Sequence, residues 1–154
     1  MEGFPDVRRR QMRTLIPAEA SFAEDPVRMI RAVKYAALTG FEIPPGMAGL
    51  VKRHAASIGE CSRERLTEEA YKILASGASA EILETAWKLR LFDALFPALA
   101  EGDRKRFAET ALAVRLRALD EATRGGRPLA RERMFAALFR DVVLAREDLL
   151  MDPD

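Results

Sequence analysis

A single cysteine, Cys61, and a single histidine, His54, are all the thiol and imidazole that this 154-residue chain carries. Neither has the partner set that a zinc site needs. Seven residues apart, they read as a surface histidine and a partly buried thiol rather than a nucleophilic pair. A lone cysteine also rules out an intramolecular disulfide, which fits a reducing compartment, and the expected location is cytoplasmic. No apolar run approaches the roughly 18 residues that span a bilayer, so no membrane partner is expected. The opening Met1-Glu2-Gly3-Phe4-Pro5-Asp6 lacks the apolar segment of a signal peptide. The glycine patterns that cradle nucleotide phosphates, GxxxxGK[ST] and GxGxxG, do not occur. Asp152 and Asp154 form a DxD at the tail, but no strand lies beneath it and it is assigned no metal role. Strong charge of one sign is missing too. The net charge is +1, so contact with a nucleic acid must come from a local patch.

What the chain does have is apolar content and helical punctuation. Hydrophobic residues make up 49% of it, enough for a packed core rather than disorder. Residues 1–22 read as an irregular or extended arm, with Arg8, Arg9, Arg10 and Arg13 as a basic cluster and Met12 to Ile16 as a short strand ended by Pro17. Beyond that, apolar residues recur at helical spacing. Helices are predicted over about 25–39, 46–57, 63–76 and 80–90, the last two capped by Ser62 and Ser79. Leu91 to Pro97 is a short apolar turn with Phe92 and Phe96 buried. Longer helices cover about 104–123, with Phe107, Ala111, Val114 and Ala118 on one side extended by Leu112, Leu116 and Leu119, and 128–147. Trp87 reads as core rather than a stacking platform. With no strand alternation after residue 20, the expected fold is all-α, with about six or seven helices.

The most distinctive stretch runs from Ala23 to Ala37. Glu24, Asp25 and Pro26 open a helix, since Asp caps free N–H groups and proline lacks only a donor that would be orphaned there. Gly40 closes it. Met29, Ile30, Val33, Ala36 and Ala37 make one apolar stripe. Arg28, Arg31 and Tyr35 lie on another arc, with Lys34 at its edge. The spacing leaves two readings open: a capped helix with a solvated basic face, or a helix that presents an acid and cations to a ligand.

Phe22-Ala23-Glu24-Asp25-Pro26-Val27-Arg28 running on into Arg31-Ala32-Val33-Lys34-Tyr35-Ala36 resembles the neck of the class II nucleotidyltransferases, the bacterial poly(A) polymerases and tRNA CCA-adding enzymes. Ser62-Arg63-Glu64-Arg65-Leu66-Thr67-Glu68-Glu69 is similar to that family's Ser-x-Glu-Arg-Ile-x-x-Glu helix, and Leu91-Phe92 with Leu95-Phe96-Pro97 to its Leu-Phe-Pro turn. The three motifs occur in the family's order over residues 13–97. The resemblance implies that Asp25 accepts from the exocyclic amine of adenine and that Arg28 donates to the neighbouring ring nitrogen, while Glu24 caps the helix or orients Arg28. It implies a phosphate or RNA 3′-end role for Arg31 and Lys34, although Lys34 stands where the family usually has arginine. Arg65 and Glu69, four residues apart, are expected to brace the neck as an ion pair.

The family's catalytic head, with its Gly-Ser signature and paired aspartates for Mg²⁺, has no counterpart before Arg13. The chain therefore reads as three parts: an arm over 1–22, a base-reading neck over 23–100, and a body over 101–154 on the RNA-binding side. Such a chain is expected to be inactive alone and to hold no metal. ATP and Mg²⁺ are implied for an enzyme with a head, and RNA 3′ ends and ATP as partners. No histidine follows His54, and Phe135-Ala136-Ala137-Leu138-Phe139-Arg140 resembles the poly(A) polymerase body, so AMP addition from ATP is the expected parent activity. A CCA-adding relative, with tRNA as the partner, and a non-catalytic helical adaptor that binds a protein through residues 104–147 are the alternatives.

Overall fold

Proline, glycine and small capping side chains set the boundaries of the helices. The computed structural model describes residues 8–99 and 104–151. Met1 to Asp6, the DxD tail and most of the polar joint near residue 101 lie outside these. Helix α1 spans Ala18–Glu24, α2 Val27–Thr39, α3 Pro45–His54, α4 Arg63–Leu74, α5 Ser79–Lys88, α6 Leu91–Leu95, α7 Ala111–Arg124 and α8 Arg131–Met151. Short 3-10 turns cover Ala55–Glu60, Pro97–Leu99 and Arg104–Glu109. No strand forms among the described residues, so the all-α expectation holds. None of their helices is long and apolar enough to cross a membrane.

The arm differs from the sequence expectation. Met12–Ile16 is not a strand: a single parallel bridge joins Gln11 to Glu42, with Met12 N–H donating to the Glu42 carbonyl at 2.9 Å and Glu42 N–H to that of Arg10 at 2.7 Å. Leu15 points fully into solvent. Pro17 then begins α1 rather than ending a strand, because its fixed φ of −48° suits the position ahead of a first turn. Phe22 on α1 is wholly buried. Asp25 breaks α1 from α2. It is extended (φ −145°, ψ 95°), as a residue before proline tends to be. Gly40 ends α2 at φ 66° in the left-handed region.

One cluster of buried side chains runs from Phe22 to Leu138 and takes in every long helix. Trp87 is part of it, tilted against Phe92 at 4.9 Å and Phe107 at 5.1 Å between ring centroids. Phe96 reaches Phe139 of α8 edge-on at 6.1 Å. Each aromatic buried in this way stabilises by roughly 1.5–3 kcal/mol. The long helix expected from residue 104 is in fact two elements, because Thr110 caps a new start by accepting from Ala113 N–H at 3.1 Å. That restart resets the inward face. Leu112, Ala113, Leu116 and Leu119 are buried, whereas Ala111, Val114 and Ala118, expected inside, face solvent. Three leucines bury more apolar surface than two alanines and a valine.

The N-terminus of α5 corrects another expectation. Ser79 is not its cap. The free N–H groups of Ser79 and Ala80 are taken by Asp120 of α7, at 2.7 and 2.9 Å, and the Ser79 hydroxyl also donates to it at 2.7 Å. Asp120 and Ser79 are both buried. Beside this cap Arg124 donates to the Gly77 carbonyl at 2.7 Å, and Gly77 takes the left-handed φ of 74° with a Cβ there only 3.2 Å from the Arg124 Cγ. A residue 41 positions away thus supplies the cap, and α5 is fastened to α7 through it. Replacing Asp120 by alanine strands the buried N–H of Ser79 and the half-buried one of Ala80, and urea unfolding should show a loss of about 2–3 kcal/mol. Asp120→Asn keeps one acceptor and should lose less; equal losses would mean that the carboxylate does not cap α5.

Candidate nucleotide-binding site

The α1–α2 break gathers the residues that the sequence singled out. Asp25 Oδ1 accepts from Val27 N–H at 3.3 Å and so caps α2. Both Asp25 oxygens accept from Arg65 Nη2 of α4, at 2.9 and 3.0 Å. Arg28, one turn into α2, donates through Nη1 to Glu24 at 2.6 Å and to the Ser21 hydroxyl at 3.2 Å. Its Nε stands 3.9 Å from Asp25 Oδ2. Glu24 therefore orients Arg28 and does not cap the helix. Because Glu24 is mostly exposed, that pair alone adds little stability. Its consequence is geometric: the guanidinium is held beside the carboxylate.

A carboxylate has about four lone-pair positions and a guanidinium five N–H donors. The contacts above use only part of either set. Asp25 and Arg28 together present an acceptor beside a donor, the complement of a base edge that carries an amine next to a ring nitrogen. Asp25 is only 19% exposed, so solvent screens it less than the surface charges around it.

One turn further along, α2 carries a second ionic cluster. Glu69 of α4, buried to 3% side-chain exposure, accepts from Arg31 Nε at 2.9 Å, from Lys34 Nζ at 3.1 Å and from Lys72 at 3.4 Å. Burial pushes the Glu69 carboxyl pKa up. The hydrogen bonds from Lys34 and Arg31, with their charges, outweigh that and hold it below the ordinary value. Lys34 is itself buried. It lies one turn beyond Ile30 and so shares the inward stripe, and its ammonium is committed to Glu69 rather than open to a phosphate. Arg31 remains 43% exposed and can serve Glu69 and a ligand together.

Arg65 and Glu69, expected to pair with each other, instead take other partners. Arg65 turns to Asp25 and Glu69 to the cations of α2. Both contacts tie α4 to the α1–α2 segment, and the one at Glu69 settles a desolvated charge, whereas an exposed pair within one helix adds only a few tenths of a kcal/mol. The sequence offered no spacing signal for the Asp25–Arg65 contact, 40 residues apart. Nor did it signal the burial of Lys34, which it placed at the edge of the basic arc. Among the described residues no three His, Cys, Asp or Glu side chains converge on a possible metal position.

Residues 40–102 match the profile of a family described as the probable RNA and SrmB-binding site of polymerase A. The chain is 35% identical over 97 residues to poly(A) polymerase I of Escherichia coli O6:H1, covering 63% of this chain and 21% of that protein. It is 32% identical over 93 residues to the CCA-adding enzyme of Bacillus subtilis, covering 60% and 23%. With poly(A) polymerase I of Haemophilus influenzae it shares 26% identity over 141 residues, or 90% of this chain and 31% of that one. The chain thus spans about a fifth to a third of the length of these relatives, to which it is homologous over the expected neck and body.

The Glu69 cluster makes a pH prediction. A depressed folded-state pKa means that Glu69 stabilises the fold above the ordinary carboxylate value of 4.5 and that this is lost as pH falls through the folded value. Glu69→Gln leaves the Lys34 ammonium buried without its counter-charge and should cost about 3 kcal/mol at pH 7. Chemical unfolding of both proteins from pH 7 to pH 3 should show the difference shrinking below pH 4.5. A gap that stays constant over that range would contradict the assignment.

Proposed function

We propose that this chain is the base-recognition and RNA-holding part of a poly(A) polymerase-like nucleotidyltransferase, one that adds AMP from ATP to RNA 3′ ends. The observation that carries the reading is Asp25 and Arg28 side by side at the start of α2. Each is held by a second residue, Arg65 or Glu24, within a chain similar to bacterial poly(A) polymerases. Asp25 accepts from the exocyclic amine of the incoming adenine, and Arg28 donates to the ring nitrogen next to it. Guanine offers the opposite polarity at these atoms and leaves both groups unpaired, which is how such a site rejects it. Arg31 keeps donors toward solvent for a phosphate or the growing 3′ end, while Lys34 acts through Glu69. Residues 23–100 form the reading part and residues 101–154 the body that helps hold RNA. ATP and Mg²⁺ belong to an enzyme that supplies the catalytic carboxylates, in the cytoplasm.

The similarity to CCA-adding enzymes supports tRNA as the alternative substrate. In that reading the same acceptor–donor pair serves cytosine as well, whose amine also neighbours a ring nitrogen acceptor. The reading as a protein-binding adaptor has less behind it, since it leaves the Asp25–Arg28 pair without a role.

RNA binding by this chain tests the reading. A fluorescent adenylate oligomer titrated from 50 to 200 mM salt should bind at the low end, and log K should fall linearly with log salt by about 0.7 per phosphate contacted. No binding at 50 mM salt would overturn the RNA-holding part of the proposal and leave the adaptor reading.

A further inference from the structure

The 3-10 turn at Ala55–Glu60 packs against α6. Between them lies an open cleft of about 400 Å³ whose lining includes Lys52, Ala55, Gly59, Arg90, Asp93 and Ala94. Its walls are methyl groups and a glycine, so an incoming chain can approach the protein backbone closely. Its rim carries two cations, Lys52 and Arg90, and neither side chain has a hydrogen-bond or ion-pair partner among the described residues. Asp93 is the one acid in the lining, and it is engaged with a partner of its own. None of the large exposed apolar residues, such as Tyr35, Leu38 or Val143, borders this cleft. Its chemistry suits an anion rather than an apolar protein segment.

Arg90 sits in an unusual conformation. It follows the end of α5 at φ 62°, the left-handed region where helices commonly place glycine. Glycine would meet the same turn with less strain. The position therefore holds a long cation at a conformational cost, and that side chain lines the cleft.

We propose that this cleft is a backbone-phosphate subsite for bound RNA, with Lys52 and Arg90 holding one phosphodiester between them. The inference rests on the RNA-holding function proposed above and gives the strand a contact on residues other than those of the base reader. Both residues act as point charges on a phosphate, so the subsite is indifferent to sequence.

The test compares Lys52→Gln, Arg90→Gly and the double variant with Arg127→Gln, which removes one charge elsewhere. Losing one phosphate contact lowers the salt slope for an adenylate oligomer by about 0.7, which is about a fivefold loss of affinity at 0.1 M salt. Arg90→Gly should melt no lower than the parent chain while binding RNA more weakly, a combination that a merely structural arginine does not give. Arg127→Gln should leave the slope unchanged. If the parent chain binds RNA with a steep salt dependence but the cleft variants match it, the subsite is overturned and the RNA-holding function stands. If the parent chain binds no RNA, both fall. The same titration with ATP separates the two sources of phosphate: a loss confined to RNA supports the subsite, and a loss confined to ATP overturns it.

Discussion

The neck depends on a carboxylate that has been taken out of water. Glu69 is desolvated on α4, and the cations of α2, with Lys72 of α4, offset that cost. A buried ion pair is not in itself a large source of stability, because the cost of stripping water from two charges offsets most of their attraction. Its effect is on register. If α2 slid or rotated by a residue, Lys34 would leave Glu69, and its buried ammonium would lose its counter-charge. The apolar stripe of Met29, Ile30 and Val33 allows some sliding at modest cost, but the Lys34–Glu69 contact does not.

That register is what the α1–α2 break requires. Arg65 and Glu69 lie one turn apart on α4, and Arg31 and Asp25 lie six residues apart across the start of α2. Fixing Glu69 against Arg31 and Lys34 therefore also fixes Arg65 against Asp25. Asp25 is then a preset acceptor rather than a carboxylate free to rotate, and Glu24 does the same for Arg28 from the other side. The Asp120 cap repeats the device further along the chain, where an acid from a distant helix fixes the start of α5. In each case a charge from one helix settles groups on another, so packing and polar satisfaction select the same arrangement.

The sequence carried the helices well where their signals were local. Pro26 and Gly40 bounded α2, Ser62 capped α4 by accepting from Arg65 N–H, and Phe92 and Phe96 went inside. Asp25 and Arg28, which the resemblance singled out, stand side by side. The failures share one cause, that the deciding partner was distant in sequence. Ser79 looked like a cap because Asp120 lies 41 residues away. Arg65 and Glu69 looked like each other's partners because α2 was not in view. Val114 looked inward because the restart at Thr110 was missed, and the helical period was then counted from the wrong origin. Lys34 shows the same limit in a single side chain. Its position predicted a cation at the edge of the basic arc, and only the burial of Glu69 beneath it reveals that the ammonium faces inward.

The central claim is that Asp25 and Arg28 read a base, and nucleotide choice measures it directly. With a catalytic head joined to this chain, incorporation of ATP, CTP and GTP opposite no template can be compared for the parent, Asp25→Ala and Arg28→Ala. A pair of hydrogen bonds to a base edge is worth about 1–3 kcal/mol, so either variant should lower the preference for ATP over GTP by about tenfold or more. The overall rate on the favoured nucleotide should fall as well. An unchanged ATP-to-GTP ratio in both variants, with the fold intact, would contradict the account.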